Sequence, residues 1–176
     1  MKTTLIYGVV MAVVGTLIAC ILFFLGFHDS SEKLGTAQAL GTVLGLVNAI
    51  VCLFLGIRAR RAEVPASEPF GYGRALGTGT LIALWGAIIG SIGHMLYMGV
   101  INPGFRDIIV QGELAKMEAR GMSSAQIEQA EGMVRMMTGP IPSGIFALIF
   151  GFIFSFLLAL IVAAFVRRPA TAVPAS

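Results

Sequence analysis

Residues 75–104 read ALGTGTLIALWGAIIGSIGHMLYMGVINPG, and no Lys, Arg, Asp or Glu occurs between Arg74 and Arg106. The apolar stretch through Ile101 exceeds the ~20 residues a helix needs to cross a hydrocarbon core ~30 Å thick. Backbone amides in hydrocarbon must bond within their own segment, so this stretch is expected to be helical. A barrel strand would be about half as long and would alternate, which this run does not. At about 100° per residue, Gly79, Ala83, Gly86, Gly90, Gly93 and Tyr97 fall along one line. Leu81, Leu84, Trp85, Ile88 and Ile92 fall opposite. Small residues let helices approach closely in a membrane, so the first set is expected to face protein and the second lipid. His94 flanks the small-residue face about two turns from the far end.

Three further runs of this kind place spans at about 4–27, 34–57 and 142–166, beside 75–101. The chain is 57% hydrophobic and 12% charged, where a soluble domain carries about 25% charge. The fold class read from this is all-α: an integral-membrane four-helix bundle forming one transmembrane domain over 1–168. A polar tail at 169–176 reads as disordered. Each span carries small residues on one face: Gly8, Ala12, Gly15, Ala19 and Gly26 in the first, Gly41, Gly45, Cys52 and Gly56 in the second, Gly144, Gly151, Ser155 and Ala159 in the fourth. The expected result is a compact bundle with dry seams.

Charge sets the orientation. Lys2, Arg58, Arg60, Arg61, Arg74, Arg167 and Arg168 fall on one side with two acids, Glu63 and Glu68. The other side holds five basic residues against seven acidic ones. The positive-inside rule then places both termini in the cytoplasm. The net charge of +3 is explained by this asymmetry and implies no nucleic-acid partner. The partner implied throughout is the lipid bilayer, and the oligomeric state is left open. Arg58, Arg60 and Arg61 suit anionic headgroups, and Phe70 and Tyr72 are read as interfacial anchors.

Residues 103–138 are the only sizeable polar segment. Val110, Leu114 and Met117 recur at helical spacing, Gly121 interrupts, and Ser123-x-x-Gln126 resembles a capping box. Ile127, Ala130, Val134 and Met137 then continue a second helix. The segment is read as an amphipathic helical hairpin on the outer surface, against headgroups or the bundle mouth.

Leu17-Ile18-Ala19-Cys20 matches a lipoprotein cleavage pattern, but the apolar run continues to Phe27, beyond a signal h-region. Cys20 and Cys52 lie at depths differing by roughly 15 Å, which excludes an intrachain disulfide. His28, Asp29 and Glu32 make a polar loop rather than a metal site. Seven of the nine methionines fall on the outer side, where adaptable packing explains them without copper. Gly71-x-Gly73-x-x-x-Gly77 follows no strand and is rejected as a phosphate loop. Ser91 and His94 are neighbours at i, i+3, but nothing orients the histidine as a base, so no catalytic site, cofactor or metal is assigned. The remaining candidate polar site is His94, Asn48, Thr42 and Gln38. His94 is read as a neutral imidazole bonded to a residue at similar depth, such as Thr42 or Gln38, and Asn48 as packing glue.

The order of parts resembles a bacterial membrane family known as domain of unknown function 4199. The resemblance rests on Phe70-Gly71-Tyr72-Gly73-Arg74-Ala75 after a basic linker, the Gly-rich third span and its Asn102-Pro103 exit. It rests also on the hairpin turn Gly121-Met122-Ser123-Ser124-Ala125-Gln126-Ile127 and on Arg167-Arg168. It covers about residues 3–168 and implies a multi-pass inner-membrane protein, with no activity to carry over. The expected function is a non-enzymatic accessory or interaction protein whose hairpin contacts a membrane or envelope protein partner. The alternative is a small transporter or channel component using His94.

Overall fold

A computed structural model describes residues 1–168. It contains α1 (Lys2–Phe24), α2 (Leu34–Ala62), α3 (Tyr72–Leu96), α4 (Phe105–Ala119), α5 (Ser124–Met137) and α6 (Pro140–Val166). A 3-10 turn, Ser31–Lys33, leads into α2, and a π-type turn, Tyr97–Ile101, prolongs α3. α1, α2, α3 and α6 are long and apolar enough to cross a membrane. There is no β-strand among the described residues. The tail at 169–176, read from its composition as disordered, lies outside them.

Helix ends depart from the apolar runs for local reasons. α1 stops three residues before Phe27 because Gly26 adopts φ 76°, open to glycine without strain. Phe27 N–H then donates to Leu22 O at 2.9 Å and Gly26 N–H to Phe23 O at 2.8 Å, a Schellman cap. α2 runs past Ile57 through its arginines to Ala62, because hydropathy marks where hydrocarbon ends, not where backbone hydrogen bonding ends. The hairpin forms as its sequence implies. Gly121 takes φ 78°, and Met122 N–H closes on Met117 O at 3.2 Å. Ser123 N–H donates to Gln126 Oε1 at 2.9 Å while Gln126 N–H donates back to Ser123 Oγ. Val110 is buried, and Gly112 lets α4 sit against Leu34 at the start of α2.

α3 is the central helix, packing most extensively on α6 and then on α1. Its small residues set those approaches. A Cβ on Gly8 of α1 would lie 2.5 Å from Trp85 Cβ and 3.0 Å from Gly86 N. One on Gly79 would meet Ala159 Cβ at 2.9 Å. Leu81, Leu84 and Ile92 are exposed as expected, while Trp85 is half-buried against α1.

The packed core is confined to one half of the bundle, the half that carries the termini. It contains Leu53, Ile57, Ile82, Ala159 and Ala163, all inaccessible, with Met11, Ala49 and Val162 around them. Phe70 belongs to this core at 1% exposure, which corrects its reading as an interfacial anchor. The linker is folded under the helix ends because Phe70 N–H donates to Arg168 O at 3.1 Å and Arg168 N–H to Phe70 O at 2.8 Å. The Arg168 guanidinium also donates to the carbonyls of Pro65 and Glu68, at 2.7 and 2.9 Å. Tyr72 remains exposed, and its hydroxyl donates to Leu160 O at 3.2 Å.

Candidate functional site

A cavity opens within the other half of the bundle, beneath the hairpin. It has a volume of about 540 Å³ and is lined by Ala12, Gly15 and Thr16 of α1, Gly41, Thr42 and Gly45 of α2, Ala87, Gly90, Ser91 and His94 of α3, and Ala147, Gly151, Phe154 and Ser155 of α6. Met11, Ala49 and Gly86 form its floor, where the packed core begins. The expectation of a compact bundle therefore holds except around this cavity. In the hairpin half some small residues are in close contact, Gly93 with Thr16 and Gly144 with Met95, while others leave space open. A Cβ at Gly45 or Gly151 would meet nothing within 4 Å.

His94 lines this cavity, and its Nε2 pairs with Ser143 Oγ at 3.2 Å. Ser143 lies in the first turn of α6, where the antiparallel course of α3 and α6 brings it level with His94. The partner is therefore neither Thr42 nor Gln38. Thr42 lines the cavity from α2, Gln38 is exposed, and Asn48 faces α1, donating to Met11 O at 2.8 Å and accepting from Cys52 Sγ at 3.4 Å. Of the four expected residues, the fold thus brings only His94 and Thr42 to one cavity. The Ser91 hydroxyl donates to Ile88 O at 2.9 Å, so it is turned to its own helix rather than to His94. Among the described residues no group of three or more His, Cys, Asp or Glu is arranged to hold a metal ion.

A second polar cluster closes the cavity at the hairpin end. The π-type turn places Tyr97 inward, where its ring lines the cavity. Asn102 N–H donates to Tyr97 O at 2.7 Å, and Asn102 Nδ2 donates to the Tyr97 hydroxyl oxygen at 3.1 Å. The same hydroxyl also pairs with Nδ1 of His28. Phe105 of α4 lies over His28 with ring centroids 4.3 Å apart. Residues that read separately as a loop histidine, a span tyrosine and a helix exit form one buried lid. The sequence signal for it was weak: Tyr97 on the small face, and Asn102-Pro103 at the exit.

Burial lowers the pKa of His28 from its usual 6.5, with Asp29 opposing the shift. The fold therefore favours neutral His28, and the unfolded chain takes up the proton first. That contribution to stability is full above pH 6.5 and is lost as the pH falls from there through the folded value. The unfolding midpoint in detergent is expected to drop between pH 7.5 and 5, with a slope from this group of at most ~1.4 kcal/mol per pH unit. His28→Asn, which retains a hydrogen-bonding partner for Tyr97, should remove that part of the slope; an unchanged slope would contradict the assignment.

A family model described as Protein of unknown function (DUF4199) matches residues 6–168, which takes in the four long helices, the hairpin and the Phe70–Arg168 closure. The chain belongs to this family. No curated protein and no solved structure matches it. In this DUF4199 chain the cavity joins all four long helices to the lid, and of the residues that carry the resemblance the Gly-rich third span and Asn102 take part in it.

Proposed function

We propose that this DUF4199 protein is a multi-pass protein of the bacterial inner membrane, with both termini in the cytoplasm, that works by binding rather than by catalysis. One observation carries the reading: a cavity of about 540 Å³, open on one side, lies among the four long helices in the hairpin half, next to the packed core. That volume lies within the ~300–1,000 Å³ usual for small-molecule sites. His94 engages a hydroxyl and no carboxylate, and Ser91 is turned away from it, which supports a non-enzymatic role. A transporter or channel component using His94 fits less well. The inaccessible Leu53, Ile57, Ile82 and Ala163 leave no path through the termini half of one chain.

The test is native mass spectrometry of the protein released from nanodiscs. The wild-type protein should retain a small molecule of defined mass, and Gly151→Phe, which grows into open space, should release it. Equal retention by both would contradict binding in the cavity.

The hairpin supports a second role, as an accessory contact for a membrane or envelope protein. Met133 and Met136 are each more than 60% exposed there, beside an ion-paired surface in which Arg135 holds Asp107 at 2.7 Å and Glu131 at 2.9 Å. Deleting residues 106–135 should abolish crosslinks to such a partner while leaving insertion intact.

A further inference from the structure

We propose that the cavity holds a neutral, elongated, largely hydrocarbon molecule, drawn from the bilayer, whose single oxygen function accepts a hydrogen bond from Ser155. The proposal rests on the binding reading above and gives its ligand class.

Ser155 carries the argument. It sits near the cavity floor on α6 at 8% exposure. A hydroxyl on a helix usually donates to a carbonyl one turn back. Thr16, Thr78, Thr80 and Ser91 all do so here. The Ser155 side chain is nine-tenths buried, yet its hydroxyl donates to no protein group among the described residues and borders the cavity instead. Its outlet is the cavity it lines. A ligand oxygen there would complete it.

The remaining lining sets the rest of the molecule. No Lys, Arg, Asp or Glu reaches the cavity, so an ionised headgroup would find no counter-charge. The ligand is therefore neutral. Glycines from all four helices present flat, apolar walls, which suit a hydrocarbon body. The lining on α3 runs from Gly86 to Tyr97, eleven residues or ~17 Å. The molecule is therefore long rather than compact. Thr42 and Phe154 line the cavity and are also exposed, which opens it sideways between α2 and α6 toward lipid.

The full chain in nanodiscs is photolabelled with a diazirine-bearing long-chain primary alcohol and, separately, with the carboxylate of equal chain length. The alcohol should label residues 147–155 about tenfold more efficiently, and Ser155→Ala should lower that labelling by about tenfold, the worth of one hydrogen bond. Gly151→Phe and, on the opposite wall, Gly45→Phe should abolish it. Equal labelling by alcohol and carboxylate, or indifference to Ser155→Ala, would overturn the ligand class while leaving the binding reading in place. Labelling by neither probe, or labelling unchanged in both filled variants, would overturn both.

Discussion

Gly8→Val is expected to destabilise the protein by about 3 kcal/mol or more, near the upper end for overpacking a well-packed interior. At Gly8 a Cβ would stand 2.5 Å from Trp85 Cβ, 3.0 Å from Gly86 N and 3.1 Å from Ile82 O. Two of those three atoms are backbone and cannot rotate away. Relief requires α1 and α3 to separate, which pulls Met11 and Ile82 out of the shared core. Trp85 is the only tryptophan, so its fluorescence reports the contact directly during unfolding in mixed micelles. Gly45→Val is the matched control, because a Cβ there meets nothing within 4 Å. Its effect should stay within about 0.5 kcal/mol. Equal stability of the two variants would contradict the α1–α3 crossing described above.

Phe70→Ala should cost about 3–5 kcal/mol, the usual range for deleting a fully buried aromatic side chain. Phe70 lies beneath the linker, in contact with the packed half, and its backbone is tied to Arg168 by two hydrogen bonds. Its loss leaves a void under the ends of α2, α3 and α6. Tyr72, two residues on, is 37% exposed, and Tyr72→Ala should cost less than about 1 kcal/mol. An interfacial anchor at both positions would give similar small values. The same unfolding measurement separates the two cases.

These contrasts show what the sequence makes legible. The four spans follow from apolar length, since the bilayer fixes how many residues a helix needs. The hairpin turn follows from residue chemistry: Gly121 supplies the positive φ, and Ser123 and Gln126 cap each other. The site follows much less. A stripe of glycine and alanine marks a face that turns toward other helices, but the same stripe yields contact at Gly79 and open space at Gly45 and Gly151. Which outcome occurs depends on what the opposing helix presents at that level, a matter of register between distant segments. The partner of His94 was hidden for the same reason. Ser143 lies 49 residues away and becomes a neighbour only through the antiparallel alignment of α3 and α6. Phe70 was misread because its linker is polar, although a helix-end cap formed by Arg168 encloses it.

The bundle centre is packed toward the termini and opens into a cavity toward the hairpin. Ala83 and Ala87 test this arrangement on a single face of α3, one turn apart. Both are shielded from outside, at 0% and 7% exposure, but Ala83 is enclosed by protein and Ala87 lines the cavity. In a background with Cys20 and Cys52 replaced, Ala83→Cys and Ala87→Cys are treated with a small membrane-permeant maleimide, and the two rates are compared. The Ala87→Cys thiol should react at least about tenfold faster, because access governs thiol reactivity between sites of similar polarity. Equal rates, or faster reaction of Ala83→Cys, would contradict a centre packed toward the termini and open toward the hairpin.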